Sequence, residues 1–434
     1  MAMKVGVVSL GCVKNRVDTE QMLYLLKGDG FELTQFPAEA DVLLINTCGF
    51  IESAKEESIE TIFEMAQYKR TGKCRVLCVA GCLAQRYPEE LMRDIPEIDC
   101  LLGVGQTGDV HRLIRRAFSG ERPSETERNG SILSCGRVLT TPPYTAYVKI
   151  GDGCDNRCAY CAIPLIRGGH RSRPIADILA EMKDLARKGA KEQILIAQDT
   201  TRYGKDIGES LNHLLTEAAK TEGLSWLRVL YMYPDELDGQ VLSTMASNDV
   251  FTRYLDLPLQ HASEPLLKKM NRRGTMAHTR EMLKTARDMG FCLRTTFIVG
   301  FPGETEEDFE RLMDFTEEIG FDRMGAFAFS PEEDTPAFSM PDQVPEEIKQ
   351  ERLDRLMRLQ AKISLSRNQA RVGAVEKVLV TGTTASGYTG RSAFEAPDAD
   401  GVIRLTSARP LTEGTFVQAR LTGADTYDLT GEVI

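Results

Sequence analysis

The strongest signal in the sequence is the stretch GCDNRCAYC, residues 153–161. Its cysteines Cys154, Cys158 and Cys161 have the spacing C-x3-C-x2-C and directly follow an apolar run, TAYVKI (145–150), that predicts a strand. Three thiolates on one loop can hold three irons of a 4Fe-4S cube, and the fourth iron then has no protein ligand. An open metal position is what a catalytic metal site needs. The motif therefore predicts an iron–sulfur site at the end of a strand.

The chain has eleven cysteines, and in a reducing cytoplasm the leading explanation for so many of them is metal binding or redox chemistry. The N-terminus MAMKVGVVSLGC lacks a signal-peptide cleavage region, and no apolar run approaches the roughly 18 residues of a membrane span. We therefore expect a cytoplasmic protein with no membrane association, where disulfides are disfavoured. A zinc site is the alternative for the central triad. Zinc usually takes a fourth Cys or His close by, and only His170 is nearby.

A second cysteine triad is predicted in the N-terminal part of the chain. Cys12, Cys48 and Cys82 come directly after predicted strands, in VVSLGC, LINTC and VAGC. Because ligand sites collect at the carboxyl ends of parallel strands, we expect these thiols to converge on a second site of three thiolates. Three separate buried thiols are the alternative. We assign no chemistry to the other five cysteines: Cys74, Cys78, Cys100, Cys135 and Cys292.

The sequence pattern divides the chain into three domains of α/β and β character. Strands and helices alternate over residues 3–118, which predicts a doubly wound parallel sheet. Residues 119–138 are polar and without a clear period, as in a linker. The alternation resumes over 139–371 with six predicted strands, which indicates a partial (β/α)6 barrel. Residues 372–434 consist of short strands split by Gly and Asp turns, which is typical of a small OB-like β-barrel.

The balance of acidic and basic residues indicates which class of molecule the protein binds. Acidic residues outnumber basic ones by 64 to 53, whereas a protein that wraps nucleic acid usually has a basic surplus. Between residues 372 and 434 the count is eight acids to five bases, which suits a basic protein better than RNA phosphates. We expect Glu395, Asp398 and Asp400 to contribute as exposed charges in a turn. A merely solubilising face is the alternative.

One basic stretch, IRGGHRSRP (166–174), carries Arg167, Arg171 and Arg173. These arginines can meet nucleic acid or pair with carboxylates around the barrel, and the sequence leaves both roles open.

The central motif, with Tyr160 just before its third cysteine, resembles the radical S-adenosylmethionine (SAM) superfamily. In that family the open iron binds the amino and carboxylate groups of SAM, and an electron from the cluster cleaves SAM to a 5′-deoxyadenosyl radical. The resemblance makes the three cysteines of the motif catalytic. The later stretch FIVGFPGET (297–305) is similar to a SAM-binding segment of the family, which implies Tyr160, Gly300, Pro302 and Gly303 as cofactor-binding residues. Taken alone, that glycine-rich turn is more often structural.

The order of the three domains resembles the methylthiotransferase family, with an N-terminal cluster domain, a radical SAM core and a C-terminal TRAM barrel. The resemblance covers nearly the whole chain. It implies two 4Fe-4S clusters and two SAM molecules, one that methylates a sulfur held at the N-terminal cluster and one that is cleaved to the radical. It also implies a sulfur donor and an electron donor such as flavodoxin or ferredoxin.

Three stretches are similar to the RimO type within this family: SLGCVKNRVDTE (9–20), AQDTTRYG (197–204) and GRSAFEAPDADG (390–401). That type modifies the β-carbon of an aspartate in ribosomal protein S-twelve of the small subunit. The MiaB and MtaB types, which modify adenosines of tRNA, are the alternative. A non-catalytic iron–sulfur electron carrier is a third hypothesis, but an open coordination position argues against it, because a carrier is better served by full cysteine ligation.

Overall fold

The computed structural model describes residues 2–127 and 132–434 of the chain. It confirms an α/β fold with a parallel N-terminal sheet, a central parallel βα region and a C-terminal closed β-barrel. Residues 128–131 of the predicted linker lie outside the described part.

The N-terminal domain consists of a parallel sheet with helices on both faces. Its elements are β1 (Lys4–Ser9), α1 (Val13–Gly28), β2 (Glu32–Thr34), β3 (Val42–Thr47), α2 (Glu52–Ala66), α3 (Tyr68–Thr71), β4 (Val76–Gly81), α4 (Cys82–Arg86), α5 (Pro88–Asp94), β5 (Cys100–Leu102), α6 (Val110–Phe118) and β6 (Ser124–Glu125). The strand order is β2-β1-β3-β4-β5-β6, and all pairs are parallel. The sequence pattern did not predict β2 or β6, because strands of three and two residues are too short to form a hydrophobic run. β6 falls inside the predicted linker and extends this sheet.

The two faces of the sheet explain why its central strands are apolar throughout. Every residue of β3 and β4 is buried. Successive side chains point to opposite faces, so Leu43 and Leu77 join one core and Leu44 and Cys78 join the other. Cys100 also lies in the second core. Both cysteines are therefore packing residues of this core.

The central domain is a partial barrel of six parallel strands surrounded by helices. Its elements are β7 (Thr145–Lys149), β8 (Gly151–Asp152), α7 (Ile163–Arg167), β9 (Arg171–Ser172), α8 (Ile175–Arg187), β10 (Glu192–Ile196), α9 (Leu211–Ala218), β11 (Trp226–Val229), α10 (Gly239–Ala246), β12 (Tyr254–Gln260), α11 (Glu264–Lys269), α12 (Met276–Asp288), β13 (Cys292–Val299), α13 (Glu306–Ile319), β14 (Arg323–Ala328) and α14 (Glu346–Gln369). Six of these strands form two parallel sheets, β7-β10-β11 and β12-β13-β14, and β8 and β9 form a separate antiparallel pair. A backbone hydrogen bond from Met232 N to the Asp256 carbonyl, 3.0 Å long, joins them. The carboxyl ends of all six strands therefore share one mouth.

The C-terminal domain is a closed five-stranded barrel in the order β15-β16-β17-β19-β18. Its strands are β15 (Val375–Thr384), β16 (Gly387–Arg391), β17 (Ile403–Thr406), β18 (Phe416–Ala424) and β19 (Leu429–Val433).

The open interior of the partial barrel is filled by the other two domains. Tyr147 and Tyr254 of the barrel strands pack in one buried cluster with Val17 of α1 and Ala396 of the segment between β16 and β17. The three domains thus form a continuous structure around this interior.

The expectation that Glu395 and Asp400 are exposed charges is wrong. Glu395 is 1% exposed and forms ion pairs with Arg323 at 2.9 Å and Arg371 at 2.6 Å. Asp400 accepts a hydrogen bond of 2.6 Å from the Tyr254 hydroxyl. The reason is that this turn docks into the barrel, where arginines and a tyrosine compensate its carboxylates.

The third acid of that turn, Asp398, is exposed as expected, but it pairs with Arg16 at 3.0 Å. Arg391 is buried against Glu192 of the central barrel. Of the eight acids and five bases counted in this domain, six acids and four bases therefore remain at least partly exposed. The acidic surplus is smaller than the sequence count implied.

Within the part of the chain that the structure describes, none of the helices combines the length and the apolar character that a membrane-spanning segment requires.

Candidate functional site

The N-terminal triad lies at the carboxyl edge of three neighbouring strands. Cys12 precedes α1 in the loop after β1, Cys48 directly follows β3, and Cys82 directly follows β4. A side chain at Gly11 would place its Cβ 2.9 Å from the Cβ of Cys48, and the φ of Gly11 is +82°. Glycine is required there because the loop after β1 passes this close to Cys48. The three loops therefore lie side by side, and the convergence of their thiols on one site of three thiolates stays a prediction.

Asn15 ties these loops together. Its side-chain amide donates to the Thr47 carbonyl at 2.9 Å, and its Oδ1 accepts from the Cys82 thiol at 3.5 Å. On the other side, the Ser58 hydroxyl accepts from the Cys48 backbone N–H at 3.0 Å and donates to the Cys48 carbonyl at 2.9 Å. The backbone that carries the thiols is thus fixed by buried hydrogen bonds.

The central triad lies on the loop that follows β8. The Cys154 backbone N–H donates to the Gly168 carbonyl at 3.0 Å, and the Cys161 N–H donates to the Cys158 carbonyl at the same distance. Arg272 stacks on the Tyr233 ring, 3.8 Å from its centroid, and its guanidinium lies 4.0 Å from the Cys158 sulfur. The guanidinium therefore faces the sulfur of the middle cysteine of the triad.

Burial opposes ionisation of four of the thiols in the two triads. It raises the pKa of Cys82 to about 12 and that of Cys154 to about 11, and it also raises the pKa of Cys48 and Cys161. Without metal these thiols are neutral at pH 7, so metal binding must release protons. The Arg167 guanidinium acts in the opposite direction on Cys82 and lowers its pKa.

The donor set fits iron better than zinc. Each triad offers three soft thiol ligands, as a 4Fe-4S cube with one open iron requires. His170, the histidine nearest to the central motif in sequence, lies 3.1 Å from the Ser172 hydroxyl. Among residues 2–127 and 132–434, no three His, Cys, Asp or Glu side chains are gathered to hold a single metal ion.

The predicted SAM segment follows β13 and therefore lies at the same mouth as the central triad. Gly300 and Gly303 have φ values of +73° and +76°. A Cβ at Gly300 would lie 2.3 Å from Cγ of Lys349, and one at Gly303 would lie 2.4 Å from Nζ of Lys269. These glycines are required by the turn and by two lysine side chains of the same chain. A direct role of the turn with Pro302, and of Tyr160, in binding SAM stays a prediction.

Arg167 joins the two triads through a buried charge network. Its guanidinium donates to Asp152 and Asp18, in each case at 3.0 Å, and to Asn15 Oδ1 at 2.7 Å. It also lies 3.7 Å from the Cys82 sulfur. Asp152 immediately precedes the loop of the central triad, so one side chain connects both sites. The structure thus favours carboxylate pairing over nucleic-acid contact for this arginine.

The other two arginines of the basic stretch also have partners within the protein. Arg173 pairs with Glu181 at 2.6 Å and donates to the Lys149 carbonyl at 2.7 Å. Arg171 donates to the Arg167 carbonyl at 3.1 Å.

The cysteine spacing and the strand pattern do not reveal the polar residues that position the triads. The first turns of α1 bury Asn15, Asp18 and Thr19 rather than an apolar stripe. Buried polar residues at i, i+3 and i+4 indicate a helix that packs against charged groups of another domain, and this spacing is visible in the sequence. Lys14 is buried on the same helix, with Nζ 3.0 Å from the centroid of the Tyr231 ring. Loss of water lowers the pKa of this lysine to about 8.

A three-cysteine loop at the mouth of a parallel partial barrel, next to a second edge of three cysteines, defines a radical SAM enzyme with an accessory cysteine domain. The sequence pattern of the Radical SAM superfamily matches residues 148–316, that of the Uncharacterized protein family UPF0004 matches 4–103, and that of the TRAM domain matches 372–434. The chain belongs to the RimO family of radical SAM methylthiotransferases, because its curated relatives of that name align over essentially its whole length.

Three of these relatives are named "Ribosomal protein uS12 methylthiotransferase RimO". The protein from Desulforamulus reducens is 52% identical over 99% of both chains, and the one from Pelotomaculum thermopropionicum is 51% identical over 100% of both. The protein from Desulforudis audaxviator is 49% identical over 100% of this chain and 97% of its own.

Solved structures share the fold at low sequence identity. The radical SAM methyltransferase TsrM from Kitasatospora setae, solved with cobalamin and a [4Fe-4S] cluster, is 16% identical with a TM-score of 0.59 and covers 78% of this chain and 77% of its own. The cobalamin-dependent radical SAM enzyme OxsB, solved with aqua-cobalamin and SAM, is 13% identical with a TM-score of 0.51, over 83% of this chain and 56% of its own.

Proposed function

We propose that this enzyme attaches a methylthio group to the β-carbon of an aspartate in ribosomal protein uS12, with one 4Fe-4S cluster on each cysteine triad and two SAM molecules. The observation that carries the proposal is the Arg167 network, which couples Cys82 of one triad to the aspartate that precedes the other. Sulfur insertion needs a radical source and a sulfur source that reach the same carbon, and two joined sites meet that need. The names and identities of the relatives support uS12 as the substrate.

The protein's own residues hold the cofactors in place and exclude water. When bound, the cofactors supply the radical at the barrel mouth and the methylated sulfur at the N-terminal edge. Cys154, Cys158 and Cys161 hold the catalytic cluster, and Cys12, Cys48 and Cys82 hold the accessory cluster. The turn with Gly300, Pro302 and Gly303, together with Tyr160, is the proposed SAM contact. Val17 and Ala396, which pack into the barrel interior, close it against solvent.

The proposed partners follow from the surface charge of the C-terminal barrel and from the reactants that sulfur insertion requires. The exposed part of the C-terminal barrel keeps an acidic surplus, which complements a basic ribosomal protein. The reaction also needs an electron donor, for which flavodoxin or ferredoxin is the proposed class, and a sulfur donor. These partners act in the cytoplasm, which is the proposed location.

Mass spectrometry of uS12 tests the substrate. A strain that lacks this enzyme should contain unmodified uS12, and expression of the enzyme should restore the mass of one methylthio group on an aspartate. Analysis of modified tRNA nucleosides in the same strains tests the MiaB or MtaB alternative. Loss of a methylthio-adenosine with unchanged uS12 would contradict the proposal.

Reductive cleavage of SAM tests the enzyme class. The purified, anaerobically reconstituted protein should form 5′-deoxyadenosine when a strong reductant is present, whereas an electron carrier would form none.

A further inference from the structure

Lys14 is a buried lysine without an anionic partner. It is 7% exposed, and its Nζ contacts the face of Tyr231. Within residues 2–127 and 132–434 its ammonium group forms no hydrogen bond or ion pair. The other buried lysines of the described chain, Lys55, Lys149 and Lys349, each pair with a carboxylate. A buried ammonium is normally paired, so Lys14 is the exception that needs a ligand.

The position of Lys14 connects the two cysteine sites. Lys14 lies two residues after Cys12, in the first turn of α1. Tyr231 lies just beyond the carboxyl end of β11 and therefore at the barrel mouth. Its backbone N–H donates to Asp256 at 2.9 Å, and Asp256 in turn pairs with Arg294 at 2.7 Å, so the nearest barrel carboxylate is already engaged. The ammonium is thus held by an aromatic face between the N-terminal edge and the barrel.

We propose that the Lys14 ammonium binds the γ-carboxylate of the target aspartate of uS12. This inference rests on the proposed function and extends it to the residue that recognises the substrate side chain. The β-carbon that reacts must lie between the radical source and the sulfur source, and its γ-carboxylate is bonded directly to it. An anion therefore enters the space between the two sites, where desolvation requires a cation. The Tyr231 face holds the ammonium in place before the substrate arrives.

Residues at the same barrel mouth already stabilise one carboxylate of the protein itself. Asp398 accepts hydrogen bonds from Arg16 and from the Tyr147 hydroxyl, both at 3.0 Å. Because Arg16 is engaged in this pair and Lys27 lies at the exposed end of the helix, Lys14 is the buried cation of α1 that is left for a ligand.

Binding of uS12 to the reconstituted enzyme, measured without SAM, tests the inference. The probes are full-length uS12 and a variant with asparagine at the target position. Wild-type enzyme should bind the aspartate form about tenfold more tightly than the asparagine form, as the loss of one charge-assisted hydrogen bond predicts. Lys14→Gln should bind the aspartate form about tenfold more weakly than wild type and should no longer distinguish the two forms. Lys14→Arg, which keeps the charge, should recover part of the preference.

Lys27→Gln is the matched control, because Lys27 lies at the exposed end of the same helix. It should leave both affinities unchanged. The inference is overturned if Lys14→Gln weakens both forms of uS12 equally, or if this variant loses cluster iron, since either result gives Lys14 a structural role. Failure of the wild-type enzyme to bind uS12 at all would instead refute the proposed function, and the inference with it.

Discussion

The guanidinium of Arg167 lies 3.7 Å from the sulfur of Cys82, although Arg167 belongs to the central barrel and Cys82 to the N-terminal sheet. The same guanidinium binds both oxygens of Asp152, two residues before Cys154. One buried side chain therefore links the two cysteine sites. This network is also a stability element, because its charges are nearly inaccessible to water.

Replacement of Arg167 by Gln should lower the free energy of unfolding by about 3–5 kcal/mol, because Asp152 and Asp18 would lose the cation that compensates their buried charges. Denaturant unfolding measures the effect. Arg115→Gln is the matched control. Arg115 is 53% exposed and pairs with Asp29 at the surface, so its loss should cost less than about 1 kcal/mol. Equal effects of the two changes would show that the buried network does not stabilise the structure.

Removal of the central triad should abolish one of the two clusters. Anaerobically reconstituted protein should bind about eight irons, and replacement of Cys154, Cys158 and Cys161 by Ala should remove about half of them. Formation of 5′-deoxyadenosine should disappear at the same time. Cys135→Ala, a change at a cysteine without assigned chemistry, should keep both the iron and the activity. Full iron content in the triple variant would contradict the assignment.

Glu395 should make stability depend on pH in the acid range. The Arg371 and Arg323 guanidinium groups overcome the effect of burial and lower its pKa from 4.5 to about 2. A lowered pKa in the folded state means that the ionised carboxylate stabilises the fold above about pH 4.5 and that this contribution is lost as the pH falls toward 2. At 1.36 kcal/mol per pKa unit the contribution is about 3 kcal/mol.

Glu395→Gln should therefore be less stable than wild type by about 3 kcal/mol near pH 7, and the difference should shrink as the pH falls below about 4.5. Denaturant unfolding at several pH values measures it. Glu413→Gln, at an exposed position of the same barrel, should change stability by less than about 0.5 kcal/mol at any pH. A difference between Glu395→Gln and wild type that does not vary with pH would rule out this account of the ion pairs.

The sequence was sufficient to predict the three domains and to place both cysteine triads at strand ends, because strand periodicity and cysteine spacing are local patterns. It could not predict that the turn with Glu395 and Asp400 docks into the barrel, since an acidic turn has the same pattern whether it faces water or a set of arginines. The roles of Arg167 and Lys14 also depend on contacts between domains. Such contacts join residues that are far apart in sequence, and no local period records them.

A single reaction separates the roles of the two triads: the Cys12, Cys48 and Cys82 to Ala variant is mixed with SAM, reductant and uS12, and 5′-deoxyadenosine and methylthiolated uS12 are quantified. We expect 5′-deoxyadenosine to remain measurable, because the central triad is intact. No methylthio group should appear on uS12, because the site proposed to hold the sulfur is gone. Wild-type enzyme, measured in parallel, should form both products. Continued methylthiolation of uS12 by the variant would contradict the claim that the N-terminal triad holds the sulfur.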